Sequence, residues 1–204
     1  MPLFKSWSPH PHAQAAIWRI EEPEVFFASR TGLQSDIRHG QRRIEFLAGR
    51  FLVQHLWPEI EFAEIHIDAN GKPHAPEISG RAFSLSHSFP YVAAVVTDAL
   101  PCGIDIQIPK EGIAGISPKY MSQPEKDLFK NSDENLLWAW SAKEAAYKWA
   151  NISGLQLRDI ELKYFCPCSS LREAVFVIDR PDFKNVIEVK GWIDGEFVVA
   201  AAVK

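Results

Sequence analysis

The chain has 204 residues, of which 47% are hydrophobic, and a net charge of −4 from 22 basic and 26 acidic side chains. This length and composition suffice for one large domain or two small ones with a real core. The negative balance argues against broad nucleic-acid binding, which usually needs a basic face. The chain has no run of about eighteen apolar residues, which a transmembrane helix would require, so no membrane partner is expected.

Two further features indicate a cytoplasmic protein. Residues 1–16 lack the basic-then-apolar pattern of a signal peptide. Cys102, Cys166 and Cys168 make neither an even disulfide framework nor a zinc quartet, and the last two read as part of a turn. A reduced, cytoplasmic setting is the simplest expectation.

Helical and extended patterns alternate along the chain. The first strong pattern predicts a helix over Ile37–Trp57, with Ile44, Leu47 and Phe51 on its apolar face. Further helices are predicted at Pro124–Lys130 and Asn135–Ala150. Strands are predicted at Glu64–Ala69, Phe83–Ser86, Tyr91–Thr97, Gly103–Ile108, Asp159–Tyr164, Ala174–Asp179, Asn185–Lys190 and Glu196–Val203. No long linker separates these elements.

The first predicted helix region carries a cluster of arginines, namely Arg38, Arg42, Arg43 and Arg50. A solvated helix face explains Arg38. Spacing alone does not decide which of the other guanidinium groups would reach a bound anion.

A turn and a strand end follow. Asn70-Gly71 is a strong turn signal, and Lys72 lies just beyond it, before Pro73. The strand at Phe83–Ser86 ends in hydroxyl groups around His87. A lone histidine at a strand end more often has a structural role, so this segment is moderate evidence of a site.

The strand at Gly103–Ile108 has two different faces. Ile104, Ile106 and Ile108 alternate with Asp105 and Gln107. A carboxylate and an amide oxygen side by side suit magnesium, which takes oxygen ligands and keeps several waters. The alternative is an amphipathic edge strand with a solvated Asp105.

The helix at Asn135–Ala150 also has two faces. Its apolar stripe is Trp138, Ala142, Ala145 and Trp149. Its other side carries Trp140, Glu144 and Lys148, with Lys143 at the flank. Glu144 and Lys148 could be an ordinary surface ion pair worth a few tenths of a kcal/mol, roughly. Joined with Asp105, Glu144 instead completes a two-carboxylate magnesium site.

Four short motifs follow one another along the chain: Gly-Lys-Pro from Gly71, Phe-Ser-Leu-Ser-His-Ser from Phe83, Gly-Ile-Asp-Ile-Gln from Gly103, and Trp-Ser-Ala-Lys-Glu-Ala-Ala-Tyr-Lys from Trp140. In order and spacing the chain resembles the 4′-phosphopantetheinyl transferases of the Sfp type, over about Arg42–Lys148. The resemblance implies an α+β fold of two similar α/β lobes related by a pseudo-twofold, with the active site in the cleft between them. The lobes would be 1–102, contacting coenzyme A phosphates, and 103–204, holding the metal and the catalytic helix.

The resemblance also implies the reaction. The phosphopantetheine group of coenzyme A would pass to a serine of an apo acyl or peptidyl carrier protein, as in a holo-[acyl-carrier-protein] synthase, and 3′,5′-ADP would leave. Asp105, Glu144 and Lys148 would be catalytic, with Mg²⁺ held by Asp105, Gln107 and Glu144. Either Glu144 or a metal-bound water would take the serine proton. The family commonly has Glu where this chain has Gln107, so weaker magnesium binding is expected.

The same resemblance assigns the substrate contacts. The coenzyme A ligands would be Arg42, Arg43, Arg50, Lys72, Pro73, Ser86, His87, Lys143 and Lys148. For the carrier protein, the segment from Ile116 to Lys126 offers Lys119, Tyr120, Met121 and Lys126 as a docking surface. The alternative is that Tyr120 and Met121 pack under a loop. Both motif halves lie in one chain, which predicts a monomer.

Two other functions stay open at this level. One is a non-catalytic module that binds coenzyme A or a carrier protein, which Gln107 weakly favours and the set Asp105, Glu144 and Lys148 opposes. The other is a magnesium-dependent hydrolase of a nucleotide-like pyrophosphate, which would use the same carboxylates. Which carrier protein would be modified is not decided by the sequence.

Overall fold

The computed structural model describes residues 3–68, 71–76, 80–98, 101–129, 132–167 and 171–203. The chain divides into two units, Met1–Leu100 and Pro101–Lys204. Each unit combines one larger antiparallel sheet with helices, so the predicted α+β class is confirmed. The predicted lobe boundary falls two residues from this division. The roles assigned to the lobes and their pseudo-twofold relation stay predictions.

The first unit is built on a four-stranded sheet. In chain order its elements are β1 (Leu3–His10), β2 (Ala13–Arg19), α1 (Glu24–Thr31), α2 (Gly40–Leu56), β3 (His66–Ile67), β4 (Pro73–His74), β5 (Arg81–Ser88) and β6 (Tyr91–Asp98). The sheet order is β1-β2-β6-β5, and β3 pairs with β4 as a separate two-stranded ribbon. Strand β5 therefore lies at an edge of the described sheet.

The core of the first unit lies between this sheet and α2. Leu47 and Leu52 of α2 are buried with Val92 and Ala94 of β6. The helix starts at an N-cap, His39, whose ring accepts a hydrogen bond from the Arg42 backbone N–H. This packing fixes α2 beside β5 and so sets the positions of its polar side chains.

The second unit is built on a five-stranded sheet. Its elements are β7 (Cys102–Gln107), α3 (Ile113–Ile116), α4 (Gln123–Leu128), α5 (Asp133–Ala150), β8 (Ile160–Cys166), β9 (Arg172–Arg180), β10 (Phe183–Asp194) and β11 (Phe197–Val203). The sheet order is β7-β11-β10-β9-β8, with every pairing antiparallel.

Helix α5 packs against β7 and β11 and organises the second unit. It begins at Ser132, whose hydroxyl accepts a hydrogen bond from the Asn135 N–H, and ends at Asn151 with φ 48°. The predicted apolar stripe of Trp138, Ala142, Ala145 and Trp149 is confirmed, since all four residues are buried.

Helix α5 approaches β7 so closely that only glycine fits at position 103. A Cβ atom there would clash with the Ala145 carbonyl oxygen and lie 2.7 Å from the Trp149 backbone nitrogen. Glycine in a strand often marks this kind of close backbone approach. Across the sheet, Ala200 and Ala202 of β11 pair with Asp105 and Gly103, so small residues continue under the helix.

Most predicted elements are found, with ends shifted by at most four residues. The predicted strand at Glu64–Ala69 is largely wrong, because Phe62–Glu64 forms a 3-10 turn and extended pairing covers only His66–Ile67. Ala69 and Lys130, at the ends of two predicted elements, lie outside the described residues, as does Cys168. Strands β1, β2 and β4 and helices α1 and α3 were not predicted from the sequence.

None of the helices in the described part of the chain is long and apolar enough to cross a membrane. Cys102 is buried and Cys166 is half-buried.

Candidate functional site

Asp105 and Lys148 meet where β7 lies under α5. The Lys148 Nζ atom lies 2.8 Å from Asp105 Oδ1 and donates to the Ile104 carbonyl oxygen at 2.9 Å. Ser141 lies seven residues before Lys148 in α5, and its hydroxyl donates to the Asp105 carbonyl oxygen at 3.0 Å. Asp105 is only 3% exposed, so the alternative of a solvated edge-strand aspartate is wrong.

Glu144 belongs to the same cluster. Burial raises the pKa of Glu144, the negative charge of Asp105 raises it further, and Lys148 opposes both effects. The two carboxylates therefore repel each other inside a partly desolvated environment. A carboxylate with a raised pKa is also better suited to accept a proton near neutral pH.

Gln107 is oriented differently from the prediction. Its amide nitrogen donates to Asp105 Oδ2 at 2.9 Å, and its amide oxygen lies 3.4 Å from Lys110 Nζ. The side of the amide that faces Asp105 is thus a donor, which cannot bind a cation. In this arrangement the amide oxygen of Gln107 is turned away from Asp105, and Gln107 as a metal ligand beside Asp105 and Glu144 stays a prediction.

The remaining pair of carboxylates fits a divalent cation. Within the described ranges, no group of three or more His, Cys, Asp or Glu side chains could hold a metal ion. Magnesium usually takes only one or two protein carboxylates and keeps several waters, so a pair is sufficient. The repulsion that raises the pKa of Glu144 is the kind of strain that a bound cation relieves.

Lys143 does not reach this cluster, and its predicted role as a coenzyme A ligand is wrong. Its side chain is fully buried, with Nζ 2.7 Å from Glu125 Oε1 and 2.7 Å from the Tyr120 carbonyl oxygen. Burial alone would raise the pKa of Glu125, but hydrogen bonds from Lys143, Ser122 and Leu162 outweigh it and lower the pKa. The ion pair therefore joins α4 to α5 and has a structural role.

The predicted docking surface is also wrong in its central residues. Tyr120 is 0% exposed and Met121 is 2% exposed, and both belong to the core of the second unit. The alternative, that they pack under a loop, is correct. Lys119 stays exposed and Lys126 is half-buried.

A pocket of about 480 Å³ in the first unit gathers several predicted coenzyme A ligands. Arg42, Arg50, Pro73, Ser86 and His87 line it. They come from α2, the start of β4 and the end of β5. The structure therefore brings together residues that lie up to 45 positions apart, while their role in binding stays a prediction.

Two other predicted ligands have different surroundings. The Arg43 guanidinium donates from Nε to Glu24 Oε1 at 2.7 Å and from an Nη atom to the Ile37 carbonyl oxygen at 2.8 Å. It ties α2 to α1 and the preceding loop and does not line this pocket, and its role in binding coenzyme A stays a prediction. The Lys72 backbone N–H donates to Asp68 Oδ1 at 2.8 Å, which fixes the turn before Pro73.

Three polar residues of these sites were not predicted from the sequence. Glu45 contacts His87, Glu125 pairs with Lys143, and Ser141 holds the Asp105 backbone. Glu45 had a weak signal, because it is the acid within an arginine-rich stretch. No signal in the sequence indicated the pairing of Glu125 with Lys143, because the two residues lie eighteen positions apart.

Comparison with known proteins identifies the family. A family model described as the 4′-phosphopantetheinyl transferase superfamily matches residues 101–202, which is half of the chain. The chain belongs to this superfamily, and the resemblance stated from the four motifs is confirmed. The matched segment contains Asp105, Glu144 and Lys148.

Two relatives from Bacillus are similar over part of their length. The 4′-phosphopantetheinyl transferase psf-1 of Bacillus pumilus is 34% identical over 112 residues, covering 50% of this chain and 48% of the relative. A 4′-phosphopantetheinyl transferase of Bacillus subtilis is 36% identical over 92 residues, covering 43% of this chain and 40% of the relative. The matches thus span about half or less of these relatives.

Lys143→Met tests the structural assignment of this lysine. Removing one partner of a buried ion pair leaves the other charge uncompensated, so the free energy of unfolding should fall by about 3–5 kcal/mol. Urea unfolding measures this loss. Lys184→Met is a matched control, because Lys184 forms a surface pair with Asp179 and should change stability by less than about 1 kcal/mol. A Lys143→Met protein of wild-type stability would contradict the assignment.

Proposed function

We propose that the protein transfers the 4′-phosphopantetheine group of coenzyme A to a serine of an apo acyl or peptidyl carrier protein. The observation that supports this most is the partly buried cluster of Asp105, Glu144 and Lys148, built by β7 and α5. The cluster lies wholly inside the segment that matches the superfamily. Both Bacillus relatives carry the name of this activity.

The second unit would perform the chemistry. Asp105 and Glu144 would hold a magnesium ion, which supplies charge neutralisation at the coenzyme A pyrophosphate when bound. The serine oxygen would form a bond to the phosphorus bearing the pantetheine arm. The bond from that phosphorus to the 3′,5′-ADP oxygen would break, and 3′,5′-ADP would carry away the electron pair.

Glu144 and Lys148 would divide the remaining work. Either Glu144 would take the serine proton, or a metal-bound water held by Glu144 would take it, because a carboxylate that binds a cation is a weaker base. The Lys148 ammonium, held by Asp105 and the Ile104 carbonyl, would stabilise the negative charge that grows on the phosphate oxygens. Because Lys148 is already oriented, this stabilisation needs little rearrangement.

The first unit would bind phosphate groups of coenzyme A. Its pocket offers the guanidinium groups of Arg42 and Arg50, the Ser86 hydroxyl and the His87 ring. A phosphate monoester carries about −1.5 to −2 charge at pH 7, so several cationic groups are needed to hold it. Lys72, beside Pro73 of the pocket wall, is a further candidate.

Mass spectrometry of an apo carrier protein tests this proposal. Incubation with coenzyme A and magnesium should add the mass of the phosphopantetheine arm. Glu144→Gln should lower the rate by at least about 10²-fold, the lower range for loss of general-base help, and Asp105→Asn should also lower it because it removes a metal ligand. Asp179→Asn removes a surface carboxylate and should leave the rate unchanged. Hydrolysis of coenzyme A without carrier modification would indicate a hydrolase, and neither product would indicate a binding module.

Gln107→Glu tests the charge of the magnesium site. The variant adds a carboxylate beside Asp105 and removes the hydrogen bond that the Gln107 amide donates. We expect a lower magnesium concentration for half-maximal transfer, because a third carboxylate strengthens binding of a hard cation. The readout is transfer rate against magnesium concentration. Gln14→Glu adds the same charge on the surface of the first unit as a control, and an unchanged magnesium dependence of Gln107→Glu would refute the expectation.

A further inference from the structure

The pocket of the first unit contains a buried carboxylate that the anion-binding proposal does not explain. Glu45 is 4% exposed and lines the same cavity as Arg42, Arg50 and His87. A negative charge inside an anion pocket repels the ligand. Simple electrostatics therefore predicts that Glu45 weakens phosphate binding, and its position calls for a compensating role.

The contacts of Glu45 indicate that role. Its Oε2 atom lies 3.2 Å from His87 Nδ1, and its Oε1 atom accepts a hydrogen bond from Gln41 Nε2 at 3.3 Å. The Glu45 side chain is 5% exposed, whereas that of His87 is 56% exposed. Glu45 is thus buried, while His87 lies on the edge strand β5 with more than half of its side chain exposed, so the contact with Glu45 can orient the ring.

This contact engages one side of the His87 ring. Nδ1 is the nitrogen that faces Glu45 Oε2, which leaves Nε2 for another partner. A ring that carries a hydrogen on both nitrogens can donate one to Glu45 and the other to a phosphate oxygen.

Arg50 is a buried cation of the same pocket. Its guanidinium lies 3.5 Å from the centre of the Phe46 ring and donates to the Phe46 carbonyl oxygen at 3.4 Å. Burial lowers the pKa of Arg50 to about 10, and in the described part of the chain no carboxylate pairs with it. The pocket therefore holds one desolvated cation that needs an anion and one histidine whose donor geometry depends on Glu45.

Resting on the proposed binding of coenzyme A, we propose that Glu45 is a positioning residue for its 3′-phosphate. Glu45 holds the His87 ring through its Nδ1 side, so that Nε2 is directed at the phosphate monoester. The benefit of this directed donor outweighs the repulsion between Glu45 and the phosphate.

Calorimetric binding of coenzyme A and of 3′-dephospho-coenzyme A to the full chain tests the proposal. Glu45→Gln keeps the shape and removes the charge. If Glu45 positions His87, the variant should bind coenzyme A at least about tenfold more weakly, the loss expected for one charge-assisted hydrogen bond. It should bind the 3′-dephospho compound like the wild type. If Glu45 only repels the ligand, the variant will bind coenzyme A more tightly, which overturns the proposal.

Two further variants make the result specific. Glu24→Gln removes another carboxylate of the first unit, the partner of Arg43, and should leave both affinities unchanged. In a His87→Ala background, Glu45→Gln should no longer weaken coenzyme A binding, and a persistent weakening would overturn the proposal. A wild-type chain that binds no coenzyme A would refute the proposed function itself. Wild-type binding with an unaffected Glu45→Gln variant would refute only the role of Glu45.

Discussion

The close contact between helix α5 and strand β7 is the constraint on which the second unit depends. Because position 103 has no side chain, the helix backbone lies directly on the strand. At this separation Ser141 reaches the Asp105 backbone and Lys148 reaches both the Ile104 carbonyl and the Asp105 carboxylate. This packing contact thus places Asp105 of the strand next to Glu144 and Lys148 of the helix.

Three buried or half-buried cations of this protein differ in what balances their charge. Lys143 is satisfied by Glu125 and two backbone carbonyls, so it has a structural role. Lys148 pairs with Asp105, and Glu144 lies nearby. Two carboxylates with one ammonium group leave an excess negative charge that suits a metal ion. Arg50 is desolvated and, within the described residues, has no acidic partner. The balance around each cation, rather than its exposure, indicates its task.

Local patterns were enough to predict much of this structure. The alternation around Asp105 and the helical stripe from Trp138 to Trp149 correctly gave β7, α5 and the two faces of each. The same patterns failed where partners come from distant elements. Spacing around Lys143 could not show that Glu125 lies beneath it, and the segment with Tyr120 and Met121 looked like a surface because its burial depends on the whole second unit.

The first hairpin shows a different limit. Strand β2 is rich in alanine, which has a low strand propensity, and it forms only because it is paired between β1 and β6. Likewise the contact of Glu45 with His87 joins a helix to an edge strand 42 positions away. Such long-range pairings are set by packing, so a reading of local periodicity does not find them.

Gly103→Ala is the most direct test of the contact between α5 and β7. The new methyl group would clash with the Ala145 carbonyl and the Trp149 backbone, which cannot move without shifting the helix. The account predicts a loss of at least about 2 kcal/mol in the free energy of unfolding by urea. Gly115→Ala, where an added Cβ meets nothing within 4 Å, should cause no loss. A Gly103→Ala protein as stable as the wild type would contradict the account.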